Sequence, residues 1–310
     1  MRCVLLYNPA AGRNHHLRLT QMRQVAEALA AEGHTAAILA TTGPGSAASQ
    51  AWEAAADRVD VIFACGGDGT AHEVLQGVVC ESGAPDCAMG VIPMGSANAL
   101  ARHLGISLDP CKAALDQARG KAESIPVGKI SCGGGARYFV VMAGAGPDGA
   151  LVYSLLAQQK TQLGRLAYYL RAARLFATRR FSAFEVEFTP IGSDQAITQK
   201  AVSVMAVRVD NLGGLFSGLT SRHASIRDPA MQLCLLSPPA LLSLPLWFLS
   251  SWIRAGGLNP MLQSVEATAF NCRPIGKIAP HIQADGEWIG RASMEVTIVP
   301  NAVRMMLPIR

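Results

Sequence analysis

Val59-Asp60-Val61-Ile62-Phe63-Ala64-Cys65-Gly66-Gly67-Asp68-Gly69-Thr70 is the stretch on which the fold turns. Val59 to Cys65 reads as a short buried strand, and behind the glycines Ala71, Val74, Leu75, Val78 and Val79 recur at helical spacing. The glycines let the backbone fold tightly and approach a ligand with no Cβ in the way, and a helix N-terminus offers amides to phosphate. Asp68 is out of place in a plain anion cradle, because its charge repels phosphate unless a metal or a proton transfer is involved. A chemical role is expected of it. The plainer alternative is a tight turn with an acidic tip and a helix cap.

Upstream, Val4 to Tyr7 predicts a first strand, closed by Asn8-Pro9-Ala10-Ala11-Gly12-Arg13, whose amides and Arg13 suit a phosphate. Leu17, Met22, Val25, Ala26 and Leu29 give a helix one apolar face, Gly33 ends it, and Thr35 to Thr41 forms a second strand. It runs into the polar turn Thr41-Thr42-Gly43-Pro44-Gly45-Ser46 and an alanine-rich helix. Downstream, Ala88 to Ile92 is a fourth strand, ended by Pro93-Met94-Gly95-Ser96-Ala97-Asn98 and a helix through Leu104. This alternation implies parallel strands with crossover helices, in which ligands gather where strand C-termini meet helix N-termini. The turns at Asn8, Thr41, Gly66 and Gly95 would then share one edge of the sheet.

With 310 residues, two domains are the default. Half the residues are hydrophobic and 16% charged, which supports a packed core and argues against disorder. The net charge of +5 is dispersed and fits a nucleotide or a membrane surface better than DNA, so no nucleic-acid partner is expected. The eight cysteines form no C-x-x-C pair and read as reduced thiols of a cytoplasmic protein. The N-terminal apolar run before Asn8-Pro9 is too short for a secretory leader.

Asp109-Pro110 predicts a helix start and Gly120 its stop, after which the texture changes. Arg137 to Ala143, Phe184 to Thr189, Ala201 to Val209, Met231 to Leu236 and Met294 to Val299 are β-branched or alternating segments between turn residues, the pattern of antiparallel sheet. A helical insertion is expected from about Ala150 to Arg180. Leu241 to Ile253 is the most hydrophobic stretch, too short and too broken by Pro245 to span a bilayer. Trp247 and Trp252 suit a segment lying on a membrane, with a core helix as the alternative.

There is no G-x-x-x-x-G-K-[ST], which excludes a P-loop, and no H-R-D or D-F-G set. Gly144-Ala145-Gly146-Pro147-Asp148-Gly149 matches G-x-G-x-x-G, but Pro147 removes an amide and the surroundings read as antiparallel, which argues against a dinucleotide site. Asp148 is a candidate contact to a polar substrate group, or simple turn chemistry. Asp285-Gly286-Glu287 is either a β-turn with solvated acids or a carboxylate pair that takes a proton from an acceptor hydroxyl or helps hold Mg²⁺.

Four segments, Tyr7 to Gly12, Gly66 to Thr70 with His72-Glu73, Pro93 to Arg102, and Asp285-Gly286-Glu287, together resemble the diacylglycerol kinase catalytic-domain family. Within it the chain is most similar to the bacterial lipid kinases and sphingosine kinases. The match runs in order over nearly the whole chain, although Gly66 to Thr70 alone is shared with NAD kinases and phosphofructokinases. It implies an α/β plus β architecture: a Rossmann-like nucleotide-binding domain over residues 1–125, a β-sandwich over 126–301, and an active site in the cleft between them. The 302–310 segment is expected to return to the first domain.

By position, the resemblance makes Asn8, Thr41, Gly66, Gly67, Asp68, Gly69, Thr70, Ala71, His72, Gly95, Ser96 and Asn98 nucleotide contacts. It places Asp68, Asp285 and Glu287 in the catalytic set, and Ser225, Asp228 and Ala230 in a structural metal loop, with Pro229 where Gly is usual. Ser96 stands where Thr is common, and Ala99 where many diacylglycerol kinases have Asp. The implied protein is a lipid kinase of lipid metabolism that uses ATP and Mg²⁺, with diacylglycerol, a sphingoid base or a related lipid as acceptor. It would be cytoplasmic and peripheral to the membrane, with a homodimer left open. An NAD kinase-like phosphotransferase and a non-catalytic lipid or nucleotide sensor are the alternatives.

Overall fold

The apolar runs of the first half become the parallel strands β1 (Arg2–Tyr7), β2 (Thr35–Ala40), β3 (Val61–Gly66) and β4 (Ala88–Pro93), joined by helices α1 (Arg18–Ala31), α2 (Ser46–Ala56) and α3 (Asp68–Val78). A computed structural model describes residues 1–10, 15–81, 86–156, 181–210, 224–252 and 259–309. The chain divides into two compact units, Met1–Val127 with Val299–Arg310, and Gly128–Ile298.

In the first unit β3 and β4 are buried along their whole length, whereas β2 alternates between exposed and half-buried residues, as suits an edge. Met22, Val25 and Leu29 put one face of α1 into the core with Leu5, Phe63 and Ile92. Gly33, at φ +79°, ends that helix with its amide on the Ala30 carbonyl. After α4 (Ala99–His103), α5 (Pro110–Ala118) opens on an Asp109 side chain that accepts the Lys112 amide at 2.8 Å. The buried Gln117 of α5 turns back on β4, accepting the Val91 N–H and donating to the Val91 carbonyl, so an amide side chain stands in for a neighbouring strand.

The strand order is β2-β1-β3-β4, so β1 lies between the strand that follows it and the one after that. The connections therefore reverse direction between β1 and β3, and in such sheets the ligand crevice opens at that reversal.

The second unit starts within β5 (Lys121–Cys132), which pairs antiparallel with β6 (Gly135–Phe139). Its strands are β7 (Met142–Ala145), β8 (Phe184–Pro190), β9 (Ile197–Ala201), β10 (Ser203–Val207), β11 (Met231–Leu236), β12 (Leu262–Pro274), β13 (His281–Ala284), β14 (Glu287–Arg291) and the first part of β15 (Met294–Leu307). They pair antiparallel in the order β14-β13-β7-β10-β11-β12-β15, with β8 and β9 continuing from β12. Inward side chains of nearly every strand, among them Ile130, Phe139, Phe184, Val204, Leu233, Phe270 and Val296, form one core, to which the described residues contribute from strands. A sheet folded over its own apolar face packs in this way. The second part of β15 lies in the first unit, where Arg304 and Met305 pair with Ala88 and Met89 of β4.

The described residues of the second unit also form two helices, α6 (Pro147–Leu156) and α7 (Ala240–Trp252). The remainder of the expected helical insertion lies outside the described residues, as do Gly12 and Arg13. Arg137 to Ala143, expected as one strand, is two: the ladder breaks at Val140 and Val141, whose amides turn aside to a carboxylate.

Candidate active site

The glycine turn is tighter than its sequence suggests. β3 runs to Gly66 and α3 begins at Asp68, which leaves Gly67 alone between them. Asp68 is therefore a first-turn helix residue, where the helix dipole favours a negative charge. This removes the oddity of a carboxylate in a phosphate turn, because the helix end compensates it. Gly67 has no side chain with which to cap α3. A Cβ on Gly66 would stand 2.3 Å from Thr70 Oγ1, so the threonine side chain is folded over that glycine.

The neighbouring strand ends are tied to this turn by backbone. Asn8 donates its amide to the Cys65 carbonyl at 3.1 Å, Thr41 donates to Tyr7 at 2.9 Å, and Met94 donates to Gly66 at 2.7 Å. The four turns thus lie side by side at one edge of the first unit, with Asn8 and Gly66 on either side of the reversal point. Gly95 packs on Gly67 so closely that a Cβ on it would come within 2.5 Å of the Gly67 Cα.

The side chains within this edge divide by role. Ser96 is exposed, Asn8, Thr41 and Asp68 are half-buried, and Thr70, Ala71 and His72 are buried, with the Ala71 amide already given to the Gly67 carbonyl at 3.1 Å. Asn98, at φ +49°, accepts the Gly95 amide at 3.0 Å and donates to the Gly95 carbonyl at 2.9 Å. Its amide group holds the turn closed and so acts through Gly95. Sequence reasoning missed Glu73, whose carboxylate accepts the amides of Gly45 and Ala47 at 3.0 and 3.2 Å. It also missed Arg18, buried and donating to the Met94 carbonyl at 3.0 Å. Burial lowers the Arg18 pKa. Glu73 follows the glycine turn on α3, so its reach back to the start of α2 was a signal available in the sequence; Arg18 had none.

In the second unit the two acids of Asp285-Gly286-Glu287 behave differently. Asp285, at φ +46°, accepts the Val140 amide at Oδ2 and the Val141 and Met142 amides at Oδ1, each at 2.9 Å, and donates its own amide to the Met142 carbonyl. Three donors take three of its roughly four lone-pair sites, so although the sequence groups it with the catalytic acids, in this structure it clamps the turn. Glu287 is exposed.

Asp148, on the first turn of α6, accepts from Gln283 Nε2 at 3.1 Å, and the same Gln283 accepts the Gly286 amide at 3.1 Å. The buried Gln283 therefore connects Asp148 to the acid turn. Burial pushes the Asp148 carboxyl up to about 6, against the Gln283 hydrogen bond, which lowers it. Close by, Trp288 Nε1 donates to His281 Nδ1 at 3.2 Å, and Tyr153 packs on both rings. The glycines of the G-x-G-x-x-G match are filled by their own surroundings: a Cβ on Gly144, Gly146 or Gly149 would stand 2.2 to 2.5 Å from Asp148, Val202 or His281. No room for a dinucleotide follows from them.

Ser225, Asp228 and Ala230 lie in a turn beside Arg208, which is 1% exposed. Arg208 Nη2 donates to the carbonyls of Ile226 at 2.8 Å and Asp228 at 3.2 Å, while the Ser225 carbonyl accepts the Asp228 amide at 3.1 Å. Burial brings the guanidinium pKa down to about 10, with Asp285 and Asp228 opposing the fall, so it stays charged at neutral pH. Among the described residues no group of three or more His, Cys, Asp or Glu is placed to hold a metal.

A doubly wound parallel sheet with a glycine turn at its reversal point, joined in one chain to an antiparallel unit, is a fold shared with solved diacylglycerol kinase and NADH kinase structures. Residues 2–130 match the family described as the diacylglycerol kinase catalytic domain. The chain is 34% identical over 236 residues to a diacylglycerol kinase of Bacillus subtilis, covering 76% of this chain and 73% of that one. It is 28% identical over 187 residues to one of Staphylococcus aureus, covering 60% and 57%. The chain belongs to the diacylglycerol kinase family. Its fold is also that of a solved diacylglycerol kinase of Bacillus anthracis (TM-score 0.73, 23% identity, 99% and 96% covered). It resembles more distantly a yeast NADH kinase complexed with NADH (TM-score 0.52, 8% identity, 100% and 84% covered).

Proposed function

We propose that the protein transfers the γ-phosphate of ATP to the hydroxyl of a membrane lipid of the diacylglycerol or sphingoid-base class. The observation that carries the nucleotide half is the convergence of the Asn8, Thr41, Gly66 and Gly95 turns at the reversal point of the sheet, with the end of α3 among them. The lipid half rests on family membership and on the B. subtilis relative named a diacylglycerol kinase.

In this reading the phosphates lie on the backbone of Gly66 to Thr70 and Gly95-Ser96, Asn98 keeps Gly95 in place, and Arg18 supports Met94 from beneath. The half-buried Asp68 carboxylate is the group suited to a divalent ion, and Mg²⁺ bound with ATP would supply neutralisation of charge developing on the transferring phosphoryl group. The exposed Glu287 takes the proton from the acceptor hydroxyl in the productive complex. Asp148 and Gln283 orient a polar group of the acceptor or the turn that carries Glu287.

The protein would meet its substrate at the membrane surface. Leu241, Leu242, Leu246 and Leu249 form an exposed apolar face on α7, while Trp247 points into the core at 4% exposure. The leucines are therefore the membrane-facing group in place of Trp247, and the side chain of Trp252 lies outside the described residues. No described helix is long and apolar enough to cross a membrane.

The test is transfer of labelled phosphate from ATP to a panel of diacylglycerols, sphingoid bases, phosphatidylglycerol and ceramide, with the product identified by mass. Asp68→Asn and Glu287→Gln are each expected to lower turnover by about 10² or more while the protein stays folded. Undiminished turnover in both sinks the mechanism. The likeness to NADH kinase supports a second reading, a soluble dinucleotide acceptor, which phosphorylation of NAD or NADH in the absence of lipid turnover would favour.

A further inference from the structure

Arg208 follows β10 and is among the largest fully buried side chains of the protein, yet nothing in the proposed reaction uses it. Its Nη2 serves two carbonyls of one turn, Ile226 and Asp228, while Nε and Nη1 are sealed from solvent with no acceptor among the described residues. A desolvated charge left partly unsatisfied is costly, and a methionine or leucine would fill the same volume more cheaply. The arrangement makes sense where the charge itself is wanted.

The turn it serves is the one in which the family resemblance implies a structural metal. Ala230 has no side-chain donor and the Ser225 hydroxyl already accepts the Arg227 amide at 3.2 Å, so a metal there would have the Asp228 carboxylate as its one charged ligand of the three and would draw its other oxygens largely from the main chain. In this chain the Ser225 carbonyl already accepts the Asp228 amide and the Asp228 carbonyl already accepts Arg208. A divalent ion on the same oxygens would lie next to a fixed positive charge with no water between them. The residues present do not fit the metal, and they do fit the guanidinium.

We propose that Arg208 is the resident cation of the Ser225–Ala230 turn and that it takes the place of a divalent metal ion there. The main chain links it to the acid turn as well: the Arg208 amide donates to the Val141 carbonyl, and the Val141 amide donates to Asp285. A covalently attached cation cannot be lost to a chelator, so this part of the second unit is indifferent to divalent metal. The inference does not depend on which lipid is phosphorylated.

The test uses the full chain without nucleotide, treated with EDTA, desalted, and analysed for bound metal and for melting temperature with and without millimolar Mg²⁺ or Ca²⁺. Wild type is expected to retain no stoichiometric metal and to melt unchanged, whereas a filled site at a hundredfold excess over its Kd would shift the unfolding equilibrium about 100-fold. Arg208→Met uncovers the carbonyls and is expected to become stabilised by Ca²⁺ or Mg²⁺. Arg208→Lys keeps a charge and should fold and stay metal-insensitive, which decides the matter if the methionine variant does not fold. One equivalent of metal in wild type that persists in Asp68→Asn, or melting of that variant lowered by EDTA, overturns the proposal. Metal lost in Asp68→Asn belongs to the glycine turn and leaves the proposal standing.

Discussion

Replacing Asp285 by Asn separates the two acids of the second unit. Asn tolerates the left-handed backbone of this position (φ +46°), so the change removes charge without adding strain. Its single carbonyl oxygen can still serve the Val141 and Met142 amides, but its NH₂ then meets the Val140 amide donor to donor. A hydrogen bond to a charged acceptor is worth ~1.5–3 kcal/mol, and with the group half-buried and partly open to water the loss is expected at about 2 kcal/mol. For a unit of this size that corresponds to a fall in melting temperature of ~4–8 °C. Glu287→Gln, on an exposed side chain, should stay within about 0.5 kcal/mol of wild type and yet lose phosphate transfer. Thermal melts followed by circular dichroism, run beside the lipid phosphorylation assay, distinguish the two. If Asp285→Asn melts with wild type while turnover vanishes, the carboxylate is spent on chemistry and the clamp assignment is wrong.

Gly95→Ala would force the glycine turn apart, since the new methyl meets Gly67 backbone at 2.5 Å; ATP affinity by calorimetry should fall at least ~10-fold at an overpacking cost of about 1–3 kcal/mol, and undiminished affinity would show that the two turns do not form the site. Asp148 has a folded pKa raised from 3.8 to about 6 by burial, so stability associated with its neutral form is complete below pH 3.8 and is lost as pH rises through 6. Asp148→Asn should therefore be more stable than wild type at pH 8, by about 1–3 kcal/mol, and the gain should shrink towards pH 4; a variant less stable at pH 8 refutes this. Leu241→Ser with Leu242→Ser and Leu249→Ser should reduce flotation with liposomes at unchanged melting temperature, whereas Trp247→Ser should destabilise the protein by about 3 kcal/mol because that side chain is buried. Unchanged flotation of the leucine variant would remove α7 from the membrane face.

Local pattern was enough for the elements of the first unit. The β3 run, the glycines and the spacing of Val74, Leu75 and Val78 are consecutive in sequence, and helix and strand periodicity is a property of neighbours. The Asp109 cap, the Gly33 stop and the antiparallel texture of the second half were legible for the same reason. The boundaries were less so. Asp68 reads as a turn residue until the strand is seen to run on to Gly66, and the expected strand from Arg137 to Ala143 breaks because of a carboxylate 145 positions away from Val140.

By itself, then, the sequence determined the order of strands and helices, the glycine turn with its acid, and the family to which those residues belong. Only the tertiary structure decided what each polar side chain does. Asp285 and Glu287 stand two positions apart and look alike as letters, but one is held by three amides and the other is exposed. Arg208 sits among apolar neighbours as an outward strand residue would, yet it is buried under a turn some twenty residues further on. Trp247 and the leucines of α7 share one hydrophobic run, and only packing put the first inside and the others out. Burial and hydrogen-bond partners come from residues distant in the chain, so no local pattern encodes them.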